Sequence, residues 1–300
     1  MVDAPVECDL ELAHGNARMN GEPLRLIPGR EPAAILAEAM LKEKPSKAFV
    51  LFSGGKDSSV TLEYMWRNHR KMVTGALHVN TGIGLSSTRE FAKVFCESRN
   101  IPFHEAHAPL AYEDLIRRGW LSKDGTRQVG FPGPAAHRFM YSWLKERALD
   151  AFVSLQKDHR LDRIGLITGV RAEESARRMG TTLDIRRDGA QVWIAPLIDW
   201  SSYDMQAYRT TYSVPMSPAS STIHISAECL CGAFGDPREL DLIEAIYGDD
   251  PVCGRLRKLE KEMESDGVAR CKWAANLPGD PVPIEPPGPL CVGCYKVGAA

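Results

Sequence analysis

Charge of one sign is what this chain most plainly lacks. Its 37 lysines and arginines nearly balance 39 aspartates and glutamates, and the formal net charge is −2. A protein with so little net charge has no overall electrostatic attraction to DNA or RNA. We therefore expect any contact with nucleic acid to come from a local basic patch or through a partner protein.

Long apolar runs are absent as well. No stretch approaches the roughly 20 consecutive apolar residues that span a bilayer, and residues 1–5 have neither the basic nor the apolar part of a secretory leader. The sequence thus predicts no membrane association and a cytoplasmic location. With 300 residues, the chain is long enough to bury a core and to carry an appendage beside it.

Cysteines are scarce in most of the chain and crowded at its end. Of the eight, Cys8 and Cys96 stand alone, and the other six fall in the last quarter. Because the cytoplasm keeps thiols reduced, disulfides are not expected. The crowded cysteines are therefore predicted to be thiols or metal ligands.

What the chain does have is a glycine-rich loop at a junction between a strand and a helix. Residues 53–59 read Ser-Gly-Gly-Lys-Asp-Ser-Ser, after the apolar run 48–52 and before the helix-compatible segment 60–66. The glycines let the backbone approach an anion, and Asp57 or Ser58 is expected to cap the helix whose free N–H groups face it. The spacing is not that of the P-loop of kinases and GTPases. We predict a phosphate cradle of another kind.

Strands alternate with helices along the middle of the chain. Further strands are predicted at 72–79, 102–106, 164–170 and 191–194. A helix is expected at 137–153, and another is expected to open after Arg171. This order is typical of an α/β fold with a doubly wound, mostly parallel sheet, in which ligands gather at the carboxyl ends of the strands.

The composition divides the chain into three parts. Residues 1–44 are predicted to form an N-terminal segment with one helix, residues 45–220 the nucleotide-binding α/β domain, and residues 221–300 a cysteine-rich helical appendage. Candidate site residues follow predicted strand ends, at 53–59, 80–82 and 169–178. Three such placements are harder to obtain by chance than one.

These motifs together resemble the PP-loop ATP pyrophosphatases, and among them the phosphoadenosine phosphosulfate (PAPS) reductase family, which includes the DNA phosphorothioation ATP pyrophosphatase. The resemblance covers residues 45–220. Its parts are the loop, the strand end 78–82, the segment 168–175, and Pro196-Leu197-Ile198-Asp199-Trp200 running on to Tyr208 and Pro215. It implies a Rossmann-like fold of the PP-loop type.

The resemblance also implies roles for the matching residues. Lys56, Asp57 and Ser58 are implied as catalytic. The implied nucleotide-binding residues are Ser53, Gly54, Gly55, Lys56, Asp57, Ser58, Ser59, Asn80, Thr81, Gly82, Gly169, Arg171, Glu174, Arg177 and Arg178. In that superfamily the loop holds the β- and γ-phosphates of ATP with Mg²⁺, and a nucleophile attacks the α-phosphate to give an adenylated substrate and pyrophosphate. Arginines suit oxyanions because their planar fork offers paired donors.

The intact loop favours cleavage of ATP. As the resemblance implies, sulfonucleotide reductases usually have a degraded loop and a terminal Glu-Cys-Gly-Leu-His, whereas this chain keeps Gly-Gly-Lys-Asp and lacks that ending. We therefore favour an ATP pyrophosphatase that adenylates a substrate for sulfur incorporation, most like the phosphorothioation enzyme. The alternatives are a reductase acting on PAPS or its unphosphorylated relative, a tRNA thiolase, and a non-catalytic nucleotide-binding subunit of a modification complex.

Two close cysteine pairs predict a metal site in the appendage. Cys229 and Cys231, with Cys291 and Cys294, offer four thiolates, which suit a [4Fe-4S] cluster or structural zinc. The cluster is favoured, because Cys-x-Cys is less typical of zinc ribbons and the resembled phosphorothioation enzymes hold a cluster beyond the nucleotide domain. Thiols without a metal are the remaining alternative. One ligand could instead be either of two further cysteines, Cys253 or Cys271.

The predicted chemistry implies partners. A small-molecule nucleotide is expected at the loop, a sulfur donor such as a cysteine desulfurase is expected to supply sulfur, and nucleic acid is expected to be reached through partner proteins. No membrane partner is expected.

Overall fold

The computed structural model describes residues 18–19, 22–23, 30–122, 125–174 and 183–274. The chain divides into two compact units, residues 1–30 and residues 31–300. In the first unit, strand β1 (Arg18–Met19) pairs antiparallel with strand β2 (Glu22–Pro23). The second unit holds the candidate site.

A six-stranded sheet forms the centre of the second unit. The strands that follow in the chain are β3 (Lys47–Leu51), β4 (Gly75–Asn80), β5 (Phe103–His107), β6 (Trp120–Leu121), β7 (Arg127–Gln128), β8 (Ile164–Ile167), β9 (Ile185–Asp188) and β10 (Gln191–Ile194). β6 and β7 form a separate two-stranded ribbon. The main sheet has the order β5-β4-β3-β8-β10-β9, and all its pairs are parallel except β9 with β10. The predicted mostly parallel sheet is confirmed.

Helices connect the strands and extend beyond them. They are α1 (Pro32–Glu43), α2 (Lys56–His69), α3 (Ser86–Glu97), α4 (Tyr112–Arg118), α5 (His137–Tyr141), α6 (Arg147–Gln156), α7 (Ser202–Thr211), α8 (Pro218–Thr222), α9 (Pro237–Tyr247) and α10 (Pro251–Ser265). Within the described ranges, no helix is both long and apolar enough to cross a membrane.

Alternate residues of β3 pack on opposite sides of the sheet. Ala48 and Val50 join a core to which α1, α2 and α3 contribute, whereas Phe49 and Leu51 join a core to which α6 contributes. Successive side chains of a strand point to opposite faces, so β3 is buried on both and reads as one apolar run. Helices therefore cover both faces, which confirms the doubly wound architecture.

A third core joins the C-terminal helices to earlier parts of the chain. Leu240 and Ile243 of α9 and Leu256 of α10 belong to the same buried cluster as Tyr112 of α4 and Met140 of α5. The core that contains α1 likewise extends past residue 44. The cores thus run across both predicted boundaries, and the three-part division stays a prediction.

Several elements differ from the sequence prediction. The helix predicted at 137–153 is interrupted by a π-helical turn, Ser142–Glu146. The strand predicted from residue 72 begins at Gly75, because Arg70–Met72 forms a 3-10 turn. After Arg171 the described residues form only a short 3-10 turn, Ala172–Glu174. β9 gave no signal because its sequence, Ile-Arg-Arg-Asp, is polar and lies at the sheet edge.

The chain changes direction across the sheet at β3. It runs from β3 to β4 and β5 on one side, and later returns to β8 and β10 on the other. In an open α/β sheet, the crevice outside the carboxyl ends of the strands at such a switch point is where ligands bind. The segments that follow β3 and β8 flank this crevice.

Candidate functional site

The loop Ser53–Ser59 lies directly after β3 and begins α2. Gly54 has a φ of +77°, a conformation that glycine adopts without strain. The residue that caps α2 is Gly55, whose backbone is extended and which supplies no side-chain cap. Asp57 and Ser58 lie inside the first turn, so the prediction that one of them caps the helix is wrong. The first N–H groups of α2 have no intrahelical acceptor and suit an anion.

Serine hydroxyls hold the loop in shape. Ser53 Oγ lies 3.0 Å from Ser58 Oγ, and Ser58 Oγ lies 3.0 Å from the carbonyl of Gly55, to which it donates. Ser59 also donates to that carbonyl, at 2.9 Å, and its side chain is buried. Ser53 and Ser58 are half-buried. Ser59 therefore supports the loop from inside, because its hydroxyl is already used there.

Arg171 reaches the loop from the end of β8. Its Nη2 donates to Asp57 Oδ2 at 3.2 Å, across 114 residues of sequence. Its Nη1 lies 3.2 Å from Glu173 Oε2 and 3.3 Å from the carbonyl of Trp200. Only 3% of Arg171 is exposed. The guanidinium group therefore links the two segments that flank the switch point, as well as lying beside the predicted phosphate site.

Gly169 allows these two segments to approach. A Cβ at this position would lie 2.7 Å from Thr61 Oγ1 and 3.2 Å from the carbonyl of Asp57. The predicted site residue Gly169 is thus brought against the first turns of α2. Glu174 ends the 3-10 turn just beyond. Arg177 and Arg178 lie outside the described residues.

Strand β4 brings the next predicted segment to the same edge of the sheet. Asn80 Oδ1 accepts the N–H of Gly82 at 3.0 Å, and Gly82 is exposed with a φ of +71°. Thr81 is almost fully buried, and its Oγ1 donates to the carbonyl of Glu228 at 2.8 Å. Thr81 therefore serves a contact with a distant segment, which the sequence did not indicate.

That distant segment, Ser226–Leu230, forms a wall beside both loops, and we call it the wall. Leu230 N donates to Ile83 O at 2.8 Å, and Leu85 N donates to Ala227 O at 2.9 Å. A Cβ on Gly55 would lie 3.3 Å from Ser226 Cβ. The wall thus contacts the loop after β3 and the loop after β4. The sequence interpretation missed this segment. Gly84 is a signal of a close approach there, because a Cβ at this position would lie 2.4 Å from Glu228 O.

A buried ion pair joins the wall to the π-helical turn. Lys145 Nζ, on the π-helical turn, is 3.4 Å from Glu228 Oε2, and the side chains are 7% and 8% exposed. Nearby His137 is buried, and burial, with the charges of Lys145 and Arg138, lowers its pKa to about 4. A single π-turn inside a helix is often found at a functional site. Sequence spacing gives no sign that Lys145 and His137 are buried.

Two of the predicted metal ligands line a cavity of about 380 Å³. Cys229 is half-buried and Cys231 is buried, and apolar neighbours such as Phe234, Ile243 and Trp273 complete much of the lining. Two cysteines that line one cavity offer two of the four thiolates that such a site needs. Within the described ranges, no group of three or more His, Cys, Asp or Glu side chains is placed to hold a metal. Cys291 and Cys294 lie outside those ranges.

The two substitute ligands lie elsewhere. Neither Cys253 nor Cys271 lines the cavity that Cys229 and Cys231 share. The thiol of Cys253 donates to the carbonyl of Tyr247 at 3.4 Å, and burial raises its pKa. The substitution of Cys253 or Cys271 for one of the four ligands stays a prediction.

A family model described as "Phosphoadenosine phosphosulfate reductase domain" matches residues 47–220. PAPS reductase from Candida auris, solved as a phosphate complex, is 14% identical, with 70% of this chain and 95% of that chain covered and a TM-score of 0.45. FMN adenylyltransferase from Candida glabrata, with FMN and the ATP analog AMPCPP, is 11% identical over 62% of this chain and 57% of that chain, with a TM-score of 0.38. No curated protein matches the sequence.

Proposed function

The chain belongs to the phosphoadenosine phosphosulfate reductase domain family, and on that premise we propose that it is an ATP pyrophosphatase that adenylates a substrate for sulfur incorporation. The single observation that carries the proposal is the loop at the start of α2. Its glycines, hydroxyls and lysine are all retained, and the helix begins without a side-chain cap. An enzyme that receives an already activated sulfonucleotide has no need of such a loop.

The loop offers the groups that the departing pyrophosphate needs. The N–H groups of Lys56, Asp57 and Ser58 begin α2, where backbone donors and the helix dipole favour an anion. The exposed side chain of Lys56 adds a positive charge. In the proposed reaction a nucleophile forms a bond to the α-phosphorus, the bridging bond to the β-phosphate breaks, and pyrophosphate leaves with the electron pair. Preorganised donors aimed at that developing charge lower the barrier.

Mg²⁺ fits the same place. Arg171 holds Asp57 Oδ2, which leaves Oδ1 as a carboxylate oxygen beside the phosphates. Magnesium is usually held by one or two carboxylates together with substrate phosphates and water. When bound, it would supply charge neutralisation at the phosphates. Asp57 would also be oriented by Arg171, so its position depends on a residue from the other side of the switch point.

We place the group that handles sulfur at the C-terminal end of the wall. Cys229 and Cys231 would hold two corners of a [4Fe-4S] cluster, or of a zinc site, together with Cys291 and Cys294. Such a group would relay sulfur or hold the C-terminal segment in place. Phosphorothioation of DNA is the modification we favour, with a cysteine desulfurase or similar donor and with nucleic acid reached through partner proteins. A cytoplasmic location, where thiols stay reduced, stays part of this proposal.

A sulfonucleotide reductase is the second candidate. It is supported by the position of Cys229, which directly follows Glu228, whose carbonyl accepts a hydrogen bond from Thr81 at the end of β4. A half-buried thiol is thus attached to the same edge of the sheet as the nucleotide loop. The retained Lys56 and Asp57 argue for the ATP pyrophosphatase.

The test is release of AMP and pyrophosphate from ATP and Mg²⁺ by protein purified without oxygen. Lys56→Ala should lower the rate at least about 100-fold, the usual cost of removing one stabilising group from a transition state. Lys71→Ala is the matched control, because Lys71 is exposed in the 3-10 turn after the other end of α2. Equal rates for the two variants would contradict the proposal, and turnover of PAPS without ATP cleavage would favour the reductase.

A further inference from the structure

A second, smaller cavity lies beside the loop, between the first turn of α2 and helix α7. Its volume is about 50 Å³, more than the roughly 15 Å³ that one water needs. The polar residues that line it are Lys56, Asp57, Arg171, Ser202, Gln206 and Arg209. It is too small for a base or a sugar, and large enough for one small group with several oxygens.

The fold fixes the side of α7 that faces this cavity. Ser201 and Asp204 form a capping box at the start of α7. Met205 packs with Val60 of α2 in a small buried cluster. Residues three and four apart share one face of a helix. Ser202 and Arg209 are three residues before and four residues after Met205, so they lie on the same face of α7 as Met205 and face α2.

The cavity carries more positive than negative charge. Three cations line it, Lys56, Arg171 and Arg209, together with the carboxylate of Asp57. A second carboxylate, that of Glu173, pairs with Arg171 and accepts the N–H of Ser202. Arg209 has neutral partners, since its Nη1 lies 3.4 Å from Met216 Sδ and its Nη2 donates to Gln206 Oε1. Lys56 Nζ has no hydrogen-bond or ion-pair partner in the part of the chain that the structure describes. Two of the three cations are therefore without a carboxylate.

Arg171, which lines the cavity, also carries an unused donor. Its side chain is 4% exposed, and its Nη atoms are engaged by Asp57, Glu173 and Trp200. Its Nε is buried and has no acceptor among the described residues. A buried donor without a partner is unfavourable, so Arg171 retains unsatisfied hydrogen-bonding capacity beside the cavity.

We propose that this cavity binds one phosphate or sulfate group of a second substrate while the loop holds the phosphates of ATP. A tetrahedral oxyanion offers several acceptors within a small volume, and it meets three cations from α2, the end of β8 and α7. Arginine recognises such groups with paired donors. The assignment of the group to a second substrate rests on the proposed function, whereas binding of the oxyanion does not.

The test is calorimetric titration of inorganic phosphate into the full chain in chloride buffer, with and without saturating α,β-methylene ATP. Two phosphates should bind to the nucleotide-free protein and one to the loaded protein. Arg209→Gln should weaken the site that survives loading at least about 10-fold, the loss of one charge-assisted contact, and should change the affinity for the ATP analog less than twofold. Arg209→Lys, which keeps the charge, should restore part of the affinity.

Arg160→Gln is the matched control, because Arg160 is exposed and precedes β8 at the opposite edge of the sheet. The proposal is wrong if phosphate affinity is the same in Arg209→Gln and in this control. It is also wrong if the analog displaces all phosphate and Arg209→Gln weakens both ligands equally, since the cavity would then belong to the ATP site. If the analog does not bind at all, the proposed function fails, while loss of one of two phosphates in Arg209→Gln still supports the oxyanion site.

Discussion

The loop and the wall meet at one site but are specified in different ways. The loop is one continuous stretch, and its hydroxyls bond to carbonyls three or four residues away. The wall is held by partners far off in the chain, because the hydrogen bond from Thr81 to Glu228 spans 147 residues. A short sequence motif therefore determines the groups that are proposed to bind phosphate, whereas the tertiary fold determines which segment lies beside them.

The buried ion pair between Lys145 and Glu228 of the wall should have the largest effect on stability. Lys145→Met leaves Glu228 as a buried charge without its counter-ion, which should cost about 3–5 kcal/mol of unfolding free energy. Urea denaturation measures this. Arg138→Met, which breaks an exposed pair with Glu146 on the same helical run, should cost less than about 1 kcal/mol. Equal losses would show that the wall does not depend on the buried pair.

Gly84→Ala should push the wall away from the loop after β4. The added Cβ would lie 2.4 Å from the carbonyl of Glu228, and overpacking of this kind costs about 1–3 kcal/mol. Affinity for ATP should fall with it, because the wall also lies against Gly55. Gly254→Ala is the control: it has open space inside α10 and should stabilise the protein by about 0.5–1 kcal/mol. Unchanged ATP affinity in Gly84→Ala would show that the wall does not contribute to the nucleotide site.

Thr81→Val keeps the shape of the side chain but removes its hydrogen bond to the carbonyl of Glu228 and the longer one, at 3.4 Å, that it accepts from Ile83 N. The carbonyl of Glu228 loses its buried donor, which should cost about 1–2 kcal/mol of unfolding free energy. Thr211→Val, at the exposed end of α7, should change stability by less than about 0.5 kcal/mol. A loss no larger than that in the control would mean that this hydrogen bond does not hold the wall.

His137 should have the smallest effect on the free energy of unfolding near neutral pH, and this effect should grow as the pH falls. Its pKa is about 4 in the folded protein and about 6.5 when unfolded. Between these values the unfolded chain binds a proton that the folded chain does not, so stability is full above pH 6.5 and falls toward pH 4.

His137→Gln should reduce that fall by up to about 1.4 kcal/mol per pH unit. Thermal melts at pH 7, 6 and 5 measure it, with the exposed His159→Gln as control. Parallel curves for the two variants would contradict the burial of His137 as a neutral group.

The contrast between the loop and the wall also explains which features could be predicted from the sequence. The α/β fold, the loop and the approach of Gly169 to it depend on local patterns and on the rule that ligands bind at strand ends. The contact between Asp57 and Arg171 could be placed only roughly, since it joins residues 114 apart. Lys145, Glu228 and Arg209 could not be assigned, because a charged residue looks the same in the sequence whether its side chain is buried or solvated.

The measurement that tests the account most directly is the fate of the label in [α-³²P]ATP incubated with Mg²⁺ and the anaerobic protein. If the loop holds the β- and γ-phosphates while the α-phosphate is attacked, label must appear in AMP or in an adenylated product, with unlabelled pyrophosphate in equal amount. Label in ADP, with free phosphate released, would place the cleavage between the β- and γ-phosphates and would contradict the account.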